Sequence, residues 1–210
     1  MADLVLLRHG RTDWNAARRI QGQADSQLDS LGHAQAAAVA PVLAALSPTV
    51  LWSSDSARAR STASYVAAAC GLTPTVDARL REYSLGDREG LLHHEFEAAA
   101  PEEYAEFARG NWDAVPGAEK RPDVAARMTA ALSEVAGSLA DDGLAVLVSH
   151  GAAIRTAVAA LLGWPSEGEL ALHGMDNCGW AVLRRRTSVA PWRLHAYNRT
   201  VPISTGTPPA

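Results

Sequence analysis

Two stretches decide the fold: Leu4-Val-Leu-Leu-Arg-His9-Gly10 and Ala145-Val-Leu-Val-Ser-His150-Gly151. Each is an apolar run, one polar residue, then His-Gly. A run this short reads as a buried strand that stops at a turn. In an open parallel sheet, ligands bind beyond the carboxyl ends of the strands. Both histidines therefore stand where such a site would form. The glycine after each lets the backbone turn sharply and come close to a ligand.

Outward from these strands the chain alternates strand and helix. Leu28 to Leu46 reads as an amphipathic helix opened by Asp29 and Ser30, which Pro41 should kink or break in two. Thr49 to Trp52 is a second strand. Ser53-Ser54-Asp55 reads as a capping cluster for a helix ending at Cys70, with Gly71 as its stop. Thr73 to Asp77 is a short strand. Residues 93–109 and 122–140 read as helices with a loop at 111–117 between them. Leu144 to Val148 is an apolar strand and Ala152 to Leu162 a helix. Cys178 to Leu183 and Trp192 to Tyr197 read as late strands. This alternation predicts an α/β fold, a three-layer α/β/α sandwich on a mostly parallel central sheet. No linker divides the chain, so one domain over 1–199 is expected, with a helical insertion at about 91–121. The proline-containing tail 200–210 is expected to be disordered.

Composition narrows the function. Of 210 residues, 48% are hydrophobic and 20% charged, an ordinary globular balance. A chain this long buries about 70% of its unfolded surface and needs no staple of metal or disulfide. Nineteen basic against 23 acidic residues give a net charge of −4, which argues against nucleic-acid and membrane-surface binding. The two cysteines, Cys70 and Cys178, form no CxxC or Cys/His cluster, so no metal site is expected. No run approaches a membrane span or a signal peptide, so a cytoplasmic location is expected. Lys120 is the only lysine, which leaves P-loop and Schiff-base chemistry almost nowhere to sit, and GxxxxGK[ST] and GxGxxG are both missing.

Four motifs carry chemistry. Arg8-His9-Gly10-Arg11-Thr12 follows the first strand. A lone histidine there is more often structural than catalytic, but a buried Arg8 beside it calls for an anion. Ser53-Ser54-Asp55-Ser56-Ala57-Arg58 puts Arg58 on the first turn of a helix, and alone would read as a cap with solvated arginines. Leu80-Arg81-Glu82, followed by Gly86-Asp87-Arg88-Glu89-Gly90, alone would read as a polar loop. Ser149-His150-Gly151 closes the set. His33, His93, His94, His173 and His195, and most tryptophans, read as core or surface residues. Trp14 is drawn toward the site by its neighbour Asn15.

In this order the four motifs resemble those of the histidine phosphatase superfamily, the phosphoglycerate mutase-like family, over nearly the whole chain. The resemblance implies His9 as nucleophile, Glu82 as proton donor and acceptor, and Arg8, Arg58 and His150 as the rest of the phosphate pocket. Asn15, Thr12, Gln21, Gly22 and Gly151 would contact substrate. It implies phosphoryl transfer through phosphohistidine with arginines supplying positive charge, and no metal or cofactor. His9 must then be neutral at its attacking nitrogen, with the other nitrogen held by an acceptor such as a backbone carbonyl. Glu82 must carry a proton for the departing alkoxide and then act as base for water. The expected partner is a small phosphorylated metabolite, and at most a second copy of the chain. The short interval between Glu82 and His150 favours a phosphatase over a cofactor-dependent phosphoglycerate mutase; a catalytically silent phosphate-binding regulator is the third reading. Ile20-Gln21-Gly22-Gln23, Gly174-Met175-Asp176-Asn177 and Trp192-Arg193-Leu194 are similar to the glucosyl-3-phosphoglycerate phosphatases of actinobacteria. Arg88 stands where the family often has tryptophan, a departure that could add an anion contact.

Overall fold

A computed structural model describes residues 2–187 and 189–203. The elements run β1 (Ala2–Arg8), α1 (Asp13–Ala16), α2 (Ser30–Ala44), β2 (Val50–Ser53), α3 (Ala57–Cys70), β3 (Thr75–Val76), α4 (His93–Ala99), α5 (Pro101–Ala108), α6 (Arg121–Ser138), β4 (Gly143–Ser149), α7 (Gly151–Leu161), α8 (Ser166–Glu169), β5 (Trp180–Arg185) and β6 (Arg193–Arg199). The strands form one six-stranded sheet in the order β3-β2-β4-β1-β5-β6. β3, β2, β4 and β1 are mutually parallel. β5 runs antiparallel to β1 and β6 antiparallel to β5. The mostly parallel α/β/α sandwich is the architecture that the alternation of strands and helices predicts.

β1 and β4 pair in parallel from Ala2↔Gly143 to Arg8↔Ser149. The two similar stretches thus lie side by side without offset, and the residue after each pair is His9 on one strand and His150 on the other. Neighbouring strands are about 4.8 Å apart, so register alone brings the two imidazoles together. Alternation along β1 and β4 sends Leu4, Leu6, Ala145 and Leu147 to one face and Val5, Leu7, Val146 and Val148 to the other. α6 and α7 cover the first face; α2 and α3 cover the second. Most of these strand residues are fully buried.

Several expected boundaries move. α2 runs unbroken through Pro41. Pro41 and Ala37 are both exposed, so the carbonyl that loses its helical donor can turn to water, while Val39, Ala40 and Leu43 hold the apolar face. The helix expected over 93–109 is two helices, α4 and α5, because Pro101 starts a new one at its first position. β3 shrinks to two residues. The Ser53-Ser54-Asp55 capping cluster is displaced: the N-cap of α3 is Ser56, and its side chain makes no capping bond. Asp25 caps the helix instead, accepting from the Ala57 N–H at 2.8 Å. Of the tail, Val201 packs against the α2/α3 core; residues 204–210 lie outside the described residues. Among the described residues no helix is long and apolar enough to cross a membrane.

The His9 turn is pressed against the start of α2. A Cβ on Gly10 would lie 2.6 Å from the Gly32 carbonyl oxygen, and one on Gly32 would lie 1.9 Å from that of Arg11. Both clashes are with backbone, which cannot swing away. Gly32→Ala should therefore destabilise the fold by about 2–4 kcal/mol. Exposed Gly137, which has open space around it within α6, should give about 0.5–1 kcal/mol of added stability on mutation to Ala. Urea unfolding of the two variants checks both signs.

Candidate active site

Four cationic or potentially cationic groups meet beyond the carboxyl ends of β1 and β4. The rings of His9 and His150 are edge to face, with centroids 5.2 Å apart. His9 and His150 are 3% and 1% exposed, and Arg58 is 1% exposed. Arg8, at the end of β1, donates from Nη1 to the Met175 carbonyl. Its Nε is buried and makes no hydrogen bond among the described residues. Neither Arg8 nor Arg58 forms an ion pair among the described residues. An orphaned guanidinium donor in a buried cationic cluster is the signature of a site built for an anion.

Each group is oriented by the backbone around it. His9 Nδ1 lies 2.8 Å from its own following carbonyl, Gly10. A carbonyl only accepts, so Nδ1 carries the proton and Nε2 keeps its lone pair. The Gly10 N–H donates to Thr62 Oγ1 at 3.0 Å, which ties the turn to α3. Arg58 donates from Nε to His150 Nδ1 at 3.3 Å, from Nη1 to the Ala24 carbonyl at 2.7 Å and from Nη2 to the Gly22 carbonyl at 2.7 Å. Gly22 has φ +52, and a Cβ there would strike Glu89 Oε1 at 2.3 Å, so the residue is confined to glycine. His150 Nδ1 accepts from Arg58, so Nε2 is the protonated nitrogen; it lies 3.0 Å from Ser54 Oγ and 3.4 Å from Ser56 Oγ. The serines read as caps thus serve the second imidazole.

Burial, then the charges of Arg58 and Arg8, push His9 well below the ordinary histidine value. Burial, Arg58, His9 and Arg8 do the same to His150. Both shifts favour the neutral imidazole. Burial lowers both arginines as well, but guanidinium stays charged in proteins.

Glu82 sits on the N-terminus of α7. Its Oε1 accepts from the Tyr83 N–H at 3.0 Å and the Ala153 N–H at 2.8 Å, and its Oε2 from the Ala152 N–H at 3.1 Å. Arg8, Glu82, Trp112, Gly151, Arg155 and Met175 all line a cavity of about 230 Å³. Gly151 is needed there, because its missing side chain lets Arg8 Nε pass at 3.3 Å from the Cβ position.

The expected contact residues gather at the rim. Thr12 Oγ1 accepts from the Asn15 N–H at 3.0 Å and donates toward Asn15 Oδ1 and Gln21 Oε1, both at 3.1 Å. Asn15, Thr12 and Gln21 therefore form one hydrogen-bonded loop, and Gly22, next in the chain, gives its carbonyl to Arg58. Trp14 turns away and stacks with Arg19, 5.6 Å from its ring centroid. Arg88 is also away from the anion pocket: it pairs with Glu103 at 2.5 Å and lies over the Phe96 ring. His93 packs among Tyr104 and Phe107.

Several residues take roles in the site that the motif reading did not assign. Asn177 Nδ2 donates to the His9 carbonyl and to Asn15 Oδ1, both at 3.2 Å. Arg127, on α6, donates to the carbonyls of Arg79, Arg81 and Glu82 at 2.6–2.9 Å and pairs with Glu119 at 2.7 Å. It fixes the segment that carries Glu82. The signal for Arg127 was an arginine at helical spacing from Val124 and Ala131, on the stripe that faces the core. Glu89 accepts from the Gln23 and Leu85 N–H groups, both at 2.9 Å, and so bridges two rim loops. Among the described residues no group of three or more His, Cys, Asp or Glu is placed to hold a metal ion.

Known proteins are similar to this chain in sequence and fold. The family model for the histidine phosphatase superfamily, branch 1, matches residues 4–200. The glucosyl-3-phosphoglycerate phosphatase of Mycobacterium tuberculosis is 39% identical over 96% of this chain and 96% of its own length. A protein of Salmonella choleraesuis named probable phosphoglycerate mutase GpmB is 38% identical over 85% of this chain and 82% of its own. The solved structure of a mycobacterial glucosyl-3-phosphoglycerate phosphatase with VO3 aligns with a TM-score of 0.87 at 42% identity, covering 94% of this chain and 99% of that one. With the family model spanning nearly all of the chain, these likenesses settle where it stands: it belongs to the histidine phosphatase superfamily.

Proposed function

We propose that this chain is a phosphoric monoester hydrolase in which His9 Nε2 attacks phosphorus. The observation that carries the reading is the bond between His9 Nδ1–H and the Gly10 carbonyl. It leaves the nucleophilic lone pair on Nε2, amid Arg8, Arg58 and His150. In the first step the Nε2–P bond forms and the ester P–O bond breaks, and Glu82 gives its proton to the leaving alkoxide. Glu82 Oε1 already takes two backbone N–H groups and Oε2 only one, so Oε2 has the acceptor site that can hold this proton. In the second step water attacks, Glu82 takes its proton, and the Nε2–P bond breaks. The two arginines and the His150 Nε2–H stabilise the charge-rich equatorial oxygens. Arriving phosphate charge offsets the repulsion that keeps the imidazoles neutral.

The substrate class we favour is a phosphorylated glycerate or sugar, glucosyl-3-phosphoglycerate first, as the names of the M. tuberculosis relative and of the VO3-bound mycobacterial structure support. The composition and the lack of any membrane-spanning helix among the described residues support a cytoplasmic setting. A mutase reading draws on the names of the Salmonella relative and of Yersinia relatives, each 38% identical.

Two outcomes follow. His9→Ala should lower kcat/KM for p-nitrophenyl phosphate by about a thousandfold or more, and brief exposure to a ³²P-labelled ester should leave an acid-labile phosphoryl group on the native protein and none on the variant. Interconversion of 2- and 3-phosphoglycerate faster than hydrolysis would select the mutase instead. The second outcome concerns stability. His9 and His150 lie well below the ordinary value when folded and near 6.5 when unfolded. Above pH 6.5 neither state binds these protons and nothing is lost. Below it the unfolded chain takes up protons that the folded one refuses, so stability falls by up to about 1.4 kcal/mol per pH unit for each imidazole. Urea midpoints should drop from pH 6.5 toward pH 5, and His9→Asn should make the drop shallower; equal slopes would contradict the assignment.

A further inference from the structure

The cavity beside the anion pocket holds a second cation that the chemistry at His9 does not use. Arg155 lies on α7 four residues beyond Gly151, against which the Arg8 guanidinium packs. Residues four apart share a helix face, and four residues of helix rise about 6 Å. Arg8 thus packs where α7 begins and Arg155 leaves the same helix one turn further on, and both line one cavity with Glu82.

Arg155 is held in place rather than consumed. Its Nε donates to Glu169 Oε1 at 3.2 Å, and Glu169, 2% exposed, also accepts from Thr156 Oγ1 at 2.9 Å. Glu169 is shared with Arg121 at 3.5 Å, so its charge does not fall to Arg155 alone. Among the described residues the terminal nitrogens of Arg155 make no hydrogen bond. Across the cavity stands Trp112, with its indole N–H committed to the Phe107 carbonyl at 3.0 Å and its ring stacked on Phe107. The remaining surface is a fixed guanidinium fork with an apolar wall beside it. Such a fork matches a carboxylate, which accepts two parallel N–H bonds.

We infer that Arg155 determines substrate choice by binding the carboxylate of a phosphorylated hydroxy acid whose phosphate sits at His9. In a glycerate 3-phosphate the two anionic groups are separated by two carbons and the ester oxygen, a span comparable to one helical turn. A substituent on the middle carbon would meet Trp112. A neutral sugar phosphate offers a hydroxyl at that place and gives the terminal nitrogens of the guanidinium no carboxylate to bind. The inference rests on the phosphatase reading and assigns the second anchor of that same site.

The test compares 3-phosphoglycerate with glycerol 3-phosphate, which differ in a carboxylate against a hydroxymethyl group, with p-nitrophenyl phosphate as the common reference. The native chain should prefer 3-phosphoglycerate in kcat/KM by at least about tenfold. Arg155→Gln should cut that preference at least about tenfold, mostly through KM, and Arg155→Lys should recover part of it. Glu169→Gln breaks the same ion pair from the other side and should keep the preference. Equal losses on both substrates in Arg155→Gln, or collapse of the preference in Glu169→Gln, would make Arg155 a structural partner only and overturn the inference. A native chain that hydrolyses p-nitrophenyl phosphate without favouring the acid removes the inference alone. One that hydrolyses none of the three esters removes the phosphatase reading, and the inference with it.

Discussion

Two arginines and two imidazoles share a buried space in which, among the described residues, no carboxylate is ion-paired to either guanidinium, and the rest of the structure is arranged around that excess of positive charge. A buried charge without a partner costs several kcal/mol even after relaxation. The fold tolerates it because backbone carbonyls, at Gly22, Ala24 and Met175, take part of the guanidinium hydrogen bonds. Carbonyls satisfy donors without cancelling charge. The site is therefore hydrogen-bonded yet electrostatically open, a state that a phosphate dianion completes.

Burial and the same charges act on the proposed nucleophile. Burial first, then Arg58 and Arg8, holds His9 well below the ordinary histidine value, which favours the neutral form that the proposed attack requires, and the same two guanidiniums attract an anion. Attraction and activation come from one arrangement. Glu82 lies near enough for its charge to act on both Arg8 and Arg58, while its carboxylate is hydrogen-bonded to N–H groups of α7, so the proposed acid is anchored by a helix end. Arg127 supplies the stiffness behind it through carbonyls on the segment from Arg79 to Glu82.

What the sequence made legible follows from how local each signal is. The likeness of the two strand-His-Gly stretches translated directly into adjacent parallel strands in register, because apolar runs and their polar ends need no distant partner to be recognised. The order of the motifs placed His9, Arg58, Glu82 and His150 at one end of the sheet. Less legible were features decided by distant neighbours. Pro41 looked like a break, but its exposed side lets water replace the missing bond. Ser53-Ser54-Asp55 looked like the capping cluster, but the N-cap position fell on Ser56, the capping oxygen came from Asp25, far away in sequence, and the hydroxyls of Ser54 and Ser56 went to His150. Arg127 and Arg155 carry no motif signal, and Asn177 stood in a quoted stretch without a role, since each acts through contacts between distant segments. Trp112 read as packing; it does pack, on Phe107, while its exposed side walls the cavity.

The most direct measurement of the central claim is a crystal structure of this chain grown with vanadate, which takes up the five-coordinate geometry of phosphoryl transfer. The account predicts vanadium bonded to His9 Nε2, with equatorial oxygens on Arg8, Arg58 and His150 and an apical oxygen facing Glu82. Vanadate bonded through His150 or Glu82, or seated away from β1 and β4 with His9 Nε2 protonated, would contradict it.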